Sequence, residues 1–282
     1  MNYKMMGRFL AQILSLEGVL MLPAVCISLY GGEMMAVRGF LIAIAVSLVT
    51  ALILFRICRG APSAFYAKDG FICVAASWMV ASLVGCLAFC LSGEIPRFVD
   101  AFFEIVSGFT TTGASILSNP EELTRAALYW RSFSHWLGGM GIIVLFVALM
   151  ANMGASAMQI FKAETAGPVK DKLQPKLADS ARILWLIYLI NTTITFVVLY
   201  ACGMNGFDAL NHAMSACATA GFSTKNLSIA FYDNPTVELI LAAAMLISSL
   251  HFGLIYATFL RKSNNIFRSE VVRTYMLIIA AA

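Results

Sequence analysis

The feature that most limits how this chain can fold is a series of long apolar runs. A helix that crosses a bilayer needs about 20 mainly apolar residues, and six runs reach that length: roughly 8–30, 37–58, 70–91, 130–153, 181–203 and 237–260. A seventh starts near Val271. Because the runs lack period-2 alternation, and because backbone groups in lipid must bond internally, they predict helices. The predicted fold class is an all-α, polytopic membrane protein.

Composition narrows the class of protein further. Hydrophobic residues make up 60% of the chain and charged residues 12%, whereas a soluble domain is about half apolar and about a quarter charged. This excludes an ordinary soluble globular protein, so we expect the lipid bilayer to be the main partner. The sequence contains no Gly-x-Gly-x-x-Gly fingerprint, and a nucleotide site within the chain is therefore not expected.

The lysines and arginines are distributed unevenly between the two ends of the apolar runs. If the N-terminus is cytoplasmic, 14 of the 19 fall on the cytoplasmic side, which is the positive-inside bias of membrane proteins. These are Lys4, Arg8, Arg56, Arg59, Lys68, Lys162, Lys170, Lys172, Lys176, Arg182, Arg261, Lys262, Arg268 and Arg273. The net charge of +4 follows from this bias and gives no reason to expect a nucleic-acid partner.

A 16-residue segment, Asp100–Ser115, recurs in degenerate form 108 residues later as Asp208–Ser223. The identical pairs are Asp100 and Asp208, Ala101 and Ala209, Ser107 and Ser215, Thr111 and Thr219, Gly113 and Gly221, and Ser115 and Ser223. Each copy ends in Thr-x-Gly-x-Ser and lies between two long apolar runs. Matched polar motifs in matched membrane hairpins indicate an ion pathway lined by backbone carbonyls.

Two short apolar stretches lead into these motifs. Phe98–Phe109 and Phe207–Cys217 have helical spacing but are too short to span a bilayer, so they predict re-entrant helices. Asp100 and Asp208 fall in the first turns, where a carboxylate complements the positive end of the helix dipole. The negative ends then face the Thr-x-Gly motifs, and this favours a cation there.

The Thr-x-Gly segments supply the candidate ion-binding residues. Gly113 and Gly221 can adopt positive φ, so the backbone can leave helical geometry and present carbonyl oxygens. Thr111 and Thr219 can add hydroxyl oxygens. The candidate filter residues are Thr110, Thr111, Thr112, Gly113 and Ala114 in the first copy, and Thr219, Ala220, Gly221 and Phe222 in the second. The alternative is that both segments are ordinary helix breaks in a bundle.

Three stretches resemble a known family. Ser107–Ser115, together with Ser134–Ile142 (Ser-His-Trp-Leu-Gly-Gly-Met-Gly-Ile), is similar to the first pore unit of the Trk/Ktr/HKT potassium transporters. Ala218–Thr224 resembles the second filter strand of that family. The additional pair of N-terminal spans resembles the TrkH branch more than the KtrB branch. The resemblance covers essentially the whole chain.

The resemblance implies a potassium-channel-like fold, in which four membrane–pore–membrane repeats surround one pore. Each repeat contributes one filter strand with a key glycine, and Thr111, Thr112, Thr219 and Ala220 are then expected to contact the transported K⁺. Glycine at this position favours potassium over sodium. The resemblance also implies a homodimer in the bacterial inner membrane. A peripheral cytosolic nucleotide-binding subunit (RCK-type, TrkA-like) is expected as partner, and no cofactor is expected in this chain.

The expected organisation contains only two such repeats. A two-helix hairpin (1–60) precedes a first repeat (61–160), a cytoplasmic linker (161–180), a second repeat (181–262) and the start of a third (263–282). Because two strands cannot close a ring of four, we expect a piece of a longer potassium uptake protein. The alternatives are a self-contained two-repeat channel subunit acting as a dimer, and an inert chain or scaffold.

Three carboxylates near the pore segments, Asp100, Glu104 and Asp208, are candidates for a vestibule that attracts cations. Glu104 has a second interpretation, in which it holds its helix by a hydrogen bond. The histidines (His135, His212 and His251) lack metal-ligand spacing and are expected to be structural. The competing hypothesis for them is a membrane metalloenzyme. Arginines at the predicted outer ends of the spans, Arg131 among them, are expected to be interfacial anchors.

Overall fold

The computed structural model of the protein describes residues 2–60, 67–141, 177–250, 252–259 and 269–281. Its helices are α1 (Tyr3–Leu20), α2 (Leu22–Gly31), α3 (Met34–Ile57), α4 (Ala67–Ser92), α5 (Phe98–Phe109), α6 (Arg125–Met140), α7 (Leu177–Ala201), α8 (Gly206–Cys217), α9 (Pro235–Ser248), α10 (Phe252–Phe259) and α11 (Glu270–Ala281). Short 3₁₀ turns occur at Pro120–Glu122 and Ser228–Tyr232. Within the described ranges the chain forms no β-strand, and the predicted all-α fold class is confirmed.

Four helical segments are long and apolar enough to cross a membrane, and they correspond to four of the six predicted spans. These segments are Tyr3–Gly31, Met34–Ile57, Asp69–Ser92 and Ala181–Ala201. The first consists of α1 and α2, which meet at Met21. Pro23 stands in the first turn of α2, where its missing N–H is tolerated and the helix can restart.

The two remaining predicted spans differ from the structure. In the predicted span 130–153, α6 ends at Met140 and Gly141 follows with φ of +78°; the rest of that span lies outside the described residues. The prediction of one uninterrupted helix over 237–260 was wrong, because α9 ends at Ser248. The Ser249 hydroxyl donates to the carbonyl of Met245 at 2.8 Å, and such bonding competes with regular helix continuation.

The N-terminal helices form a cluster that supports the first short helix, α5, through α4. α1, α3 and α4 pack against one another, with Phe9, Ile13 and Phe40 in the shared core. A side chain at Gly39 would overlap the backbone of Ser92, so α3 and α4 approach at backbone distance. Small residues permit such contacts between membrane helices, where lipid supplies no hydrophobic driving force.

The short helices α5 and α8 are placed by aromatic and polar contacts with their neighbours. α5 packs against α4 and α6, and α8 packs against α6, α7 and α9. Trp130 of α6 donates its Nε1–H to the carbonyl of Gly85 at 3.2 Å and meets Phe109 edge-on at 6.3 Å. Both helices have the predicted lengths and positions, so the predicted pair of short helices is confirmed.

The first repeat is joined to the second by aromatic residues of α6 and α7. Trp136 stacks on Tyr188, whose hydroxyl donates to the carbonyl of Trp136 at 3.1 Å. A Cβ at Gly139 would lie 2.8 Å from Cα of Ala218, the residue that caps α8. The end of α6 is therefore in direct backbone contact with the start of the second Thr-x-Gly segment.

Candidate functional site

Both short helices end in the same backbone motif. After α5, the N–H of Thr111 donates to Gly108 and that of Thr112 to Ser107, each at 3.0 Å. After α8, the N–H of Thr219 donates to Ala216 at 2.9 Å, and that of Ala220 donates to Ser215 at 3.0 Å. This pair of crossed bonds is a Schellman motif, which turns the chain sharply away from the helix axis.

Threonine occupies the left-handed position of each motif. Thr111 has φ of +54° and Thr219 has φ of +55°. Glycine or asparagine usually fills that position, and a β-branched residue there is a genuine outlier. Such backbone is estimated to cost about 1–3 kcal/mol per residue and is concentrated at functional sites. Positive φ was expected at the glycines only, and the left-handed threonines are visible only in the structure.

The two key glycines also have positive φ, and one of them brings the segments together. Gly113 has φ of +75° and Gly221 has φ of +124°. A Cβ at Gly113 would overlap the carbonyl oxygen of Ala220, whereas a Cβ at Gly221 would meet nothing within 4 Å. The two Thr-x-Gly segments therefore lie side by side. The space between them at position 113 is too small for any side chain, so only glycine fits there.

The carbonyl oxygens of these segments lack hydrogen-bond partners among the described residues. Among the hydrogen bonds of the described residues, none is accepted by the carbonyl oxygens of Thr111–Ala114 or of Thr219–Phe222. Backbone acceptors inside a protein are normally paired. Two adjacent rows of unpaired carbonyls, each at the negative end of a helix, form an environment that favours a cation.

The hydroxyl groups of the first segment differ in their roles. Thr110 caps α5, and its hydroxyl donates to the carbonyl of Val106 at 2.7 Å. The hydroxyls of Thr110 and Thr112 lie 2.8 Å apart. Ala114 is exposed, as are Thr110 and Thr112. The Thr110 hydroxyl thus stabilises the helix end, while the carbonyls beyond it remain available.

A buried ion pair holds the first segment. Arg131 of α6 donates its Nε–H to Oε1 of Glu104 at 2.8 Å, and the side chains are 3% and 0% exposed. Glu104 also accepts hydrogen bonds from the Ser115 hydroxyl at 3.0 Å and the N–H of Ile116 at 2.9 Å. A carboxylate that is this buried and this fully bonded fits the hydrogen-bonding interpretation of Glu104.

The same arginine reaches the second segment. Its Nη1–H donates to the carbonyl of Ser223 at 3.3 Å, and its guanidinium lies 4.2 Å from the ring centre of Phe222. The expectation that Arg131 is an interfacial anchor was wrong. Its buried guanidinium lies at the interface of the two repeats and contacts Glu104, Ser115, Phe222 and Ser223. These contacts depend on the tertiary structure, so the sequence does not show them.

In the second segment a histidine takes the place of the Glu104 carboxylate. His212 corresponds to Glu104 at the 108-residue offset, and its Nε2 lies 3.0 Å from the Ser223 hydroxyl. Its Nδ1 lies 2.8 Å from the carbonyl oxygen of Asp208. The Asp208 carboxylate accepts a 2.6 Å hydrogen bond from Thr224 and pairs with Lys225 at 3.5 Å.

His135 lies between the repeats. Its ring stacks on Phe222 at 3.9 Å, and its Nδ1 lies 3.3 Å from the hydroxyl of Ser215. That hydroxyl accepts the N–H of Gly221 at 3.0 Å. The matched hydroxyl of Ser107 has no hydrogen-bond partner among the described residues. The serines stood out in the sequence repeat, but nothing in the sequence indicated that a histidine from the first repeat would contact one of them.

The remaining predicted site residues lie at the helix starts or outside the described chain. Asp100 is in the first turn of α5 and pairs with Arg97 at 3.4 Å. Asp208 is in the first turn of α8. His251 lies outside the described residues. Within the ranges that the structure describes, no group of three histidine, cysteine or acidic side chains is placed to hold a metal ion.

Comparison with known proteins places this geometry in context. The family model described as TrkH, cation transport protein, matches residues 34–279. The Trk system potassium uptake protein TrkH of Halomonas elongata is 36% identical over 99% of this chain and 58% of its own length. The protein of that name from Vibrio parahaemolyticus is 43% identical over 68% of this chain and 40% of its own length.

A solved structure agrees with the sequence matches. The crystal structure of the potassium transporter TrkH from Vibrio parahaemolyticus has a TM-score of 0.83 and 30% identity, and the match covers 99% of this chain and 57% of that one. Apolar spanning helices, together with the family match, define the class as a multi-pass membrane transport protein. The chain belongs to the TrkH family of cation transport proteins, and the predicted Trk resemblance is confirmed.

Membership of this family also tests the alternative hypothesis that the protein is a membrane metalloenzyme. This is a family of transporters and not of enzymes, so the metalloenzyme hypothesis is unsupported. The chain spans a little over half the length of the full-length relatives it matches, 58% of the Halomonas protein and 57% of the solved Vibrio chain.

Proposed function

We propose that the protein takes part in potassium uptake across the bacterial inner membrane, as part of a TrkH-type translocating subunit. One observation carries the proposal: two helices end in matched Schellman motifs, and the Thr-x-Gly segments that follow lie side by side with unpaired carbonyls. The names of the relatives, which are potassium uptake proteins, support potassium as the transported ion.

In this mechanism the carbonyl oxygens of the filter segments replace water around K⁺. The proposed contacts are made by Thr111, Thr112, Thr219 and Ala220, next to the key glycines. The negative ends of α5 and α8 favour the dehydrated cation. The membrane potential supplies the driving force, roughly 2.3 kcal/mol per unit charge at about 100 mV.

The assembly and orientation are part of the same proposal. The N-terminus is cytoplasmic, as the positive-inside bias of the lysines and arginines supports. A closed pore requires four filter strands, which two further repeats supply in the complete transporter. That transporter is a homodimer, and it binds a peripheral cytosolic nucleotide-binding subunit of the RCK type. The alternative, a two-repeat channel subunit, requires two copies of this chain to complete one ring.

Radioactive rubidium uptake tests the function. Cells that lack their own potassium uptake systems express the gene that encodes the protein, and potassium or sodium is added as competitor. We expect potassium to inhibit rubidium uptake and sodium to inhibit it far less. Gly113→Ser is expected to weaken this discrimination, because it alters the filter backbone. Thr193→Ser, an exposed position on α7, is the matched control and should leave uptake unchanged.

Two outcomes separate the possibilities. Equal competition by sodium and potassium, in a protein that reaches the membrane, contradicts potassium selectivity. Uptake by the purified 282-residue chain alone, reconstituted in vesicles, favours the two-repeat dimer, whereas uptake only from a longer gene product favours the four-repeat transporter.

A further inference from the structure

Three arginines line a pocket at the end of the N-terminal hairpin. Arg8 belongs to α1, Arg56 lies in the last turn of α3, and Arg59 follows that helix. The pocket has a volume of about 260 Å³, and Phe55, Cys58 and Gly60 complete its lining. It lies at the end of α3 that is remote from Glu33 and the pore segments.

The close approach of α1 and α3 creates this pocket. A Cβ at Gly7 would lie 2.5 Å from Sγ of Cys58, so the Cys58 side chain at the end of α3 packs directly against α1. The neighbouring residue, Arg8, is thereby placed beside Arg56 and Arg59, although about 50 residues separate them in the sequence.

The pocket has an excess of positive charge. Among the described residues, its lining contains no carboxylate, and none of its three arginines forms an ion pair. All three are exposed. Like charges in one pocket repel one another unless an anion lies between them. Guanidinium groups bind phosphate oxygens in pairs of parallel hydrogen bonds, so a phosphate group is the anion that fits best.

An apolar groove on α3 indicates where that phosphate comes from. The groove is shallow and open, and its lining comes from this helix alone: Leu41, Ile42, Ala45, Val46, Val49 and Thr50. The helical spacing of Ile42, Val49 and Arg56 puts them on one face of α3. From Ile42 to Arg56 the helix rises about 21 Å, which reaches across one leaflet of a roughly 30 Å hydrocarbon core.

We propose that α1 and α3 form a specific site for an anionic phospholipid. The headgroup phosphate lies between Arg8, Arg56 and Arg59, and one acyl chain lies in the α3 groove. Basic pockets between membrane helices bind anionic headgroups in this way. The site does not depend on the proposed potassium pathway, because its residues lie outside the Thr-x-Gly segments and their supports.

Native mass spectrometry of the detergent-solubilised protein, titrated with phosphatidylglycerol, tests the site. We expect one tightly bound phosphatidylglycerol, and at least tenfold weaker binding of phosphatidylcholine. Each single variant, Arg8→Gln, Arg56→Gln or Arg59→Gln, should weaken binding about fivefold. Arg38→Gln is the matched control, since Arg38 is exposed at the other end of α3, and it should change nothing.

A second pair of variants tests the groove. Val49→Trp fills the groove and should weaken phosphatidylglycerol binding at least tenfold, whereas Ile190→Trp, on the exposed face of α7, should not. The proposal is overturned if phosphatidylcholine binds equally well, or if Val49→Trp has no effect. It is also overturned if inorganic phosphate or glycerol 3-phosphate competes with an affinity equal to that of the lipid, because the anion is then a soluble phosphate.

Discussion

The two Thr-x-Gly segments have the same backbone turn, but the serine of each is bonded by a different kind of side chain. Both leave a short helix through a Schellman motif with a left-handed threonine. In both, the serine of Thr-x-Gly-x-Ser bonds to a side chain of its short helix. In the first segment that partner is Glu104, which Arg131 neutralises; in the second it is the imidazole of His212.

The comparison separates the features that both segments share from those that differ. The Schellman motif, its left-handed threonine and the unpaired carbonyls recur, so these are the features that the two segments share. The side chain that holds the serine can be a carboxylate or an imidazole, provided that it is buried and bonded. The second segment is also the more enclosed, since Phe222, Ser223 and Thr224 are buried while Ala114 and Ser115 are exposed.

The largest effect is expected from breaking the ion pair of the first segment. Arg131→Gln leaves the Glu104 carboxylate buried without its counter-charge and removes the contact with Ser223. We expect a loss of about 3–5 kcal/mol in the free energy of unfolding, measured by detergent denaturation in mixed micelles. Glu104→Gln in addition should restore most of the loss.

Arg97→Gln is the matched control for this prediction. Arg97 also pairs with an acid of the first segment, Asp100, but its side chain is 81% exposed. Exposed pairs contribute about 0.2–1 kcal/mol. Equal losses for Arg97→Gln and Arg131→Gln would contradict the role assigned to the buried pair.

The contact between the two segments can be tested at Gly113. Gly113→Ala places a methyl group against the carbonyl of Ala220 in addition to straining the backbone. We expect a loss of about 2–4 kcal/mol in stability and at least a tenfold fall in rubidium uptake. Gly32→Ala is the control, because Gly32 has a similar φ of +70° with nothing within 4 Å. If both variants lose the same stability, the segments are not in contact.

A smaller effect on stability is expected at His212, whose side chain bonds to the serine of the second segment. His212→Phe keeps a planar ring but removes the contacts with Ser223 and Asp208, which should lower stability by about 1–3 kcal/mol. The loss should be smaller than for Arg131→Gln, because no buried charge is left unpaired. His212→Gln can still reach Ser223 and should lose less than His212→Phe. The reverse order of the two His212 variants would show that the ring and not its nitrogens supports the loop.

Sequence reasoning could predict the parts of this site that are local. Run length and composition predicted the spanning helices, and the 108-residue repeat predicted both short helices and the position of Gly113. It could not predict the partners of His135 or the contact between Arg131 and Ser223, because those contacts join α6 to the second repeat, more than 75 residues away. The break after Ser248 was also missed, because an apolar run does not show where a helix stops.

The smallest effect, and the one that separates backbone strain from side-chain chemistry, is expected at the left-handed threonines. Thr219→Gly relieves the strain of φ +55° and should change stability by zero to about 1 kcal/mol in the favourable direction. Thr193→Gly, within helix α7, should instead destabilise by about 0.5–1 kcal/mol. Thr111→Gly should behave as Thr219→Gly does, since the two turns share their geometry. A loss at either position comparable with that of Thr193→Gly would mean that the threonine is not strained and that its side chain stabilises the turn.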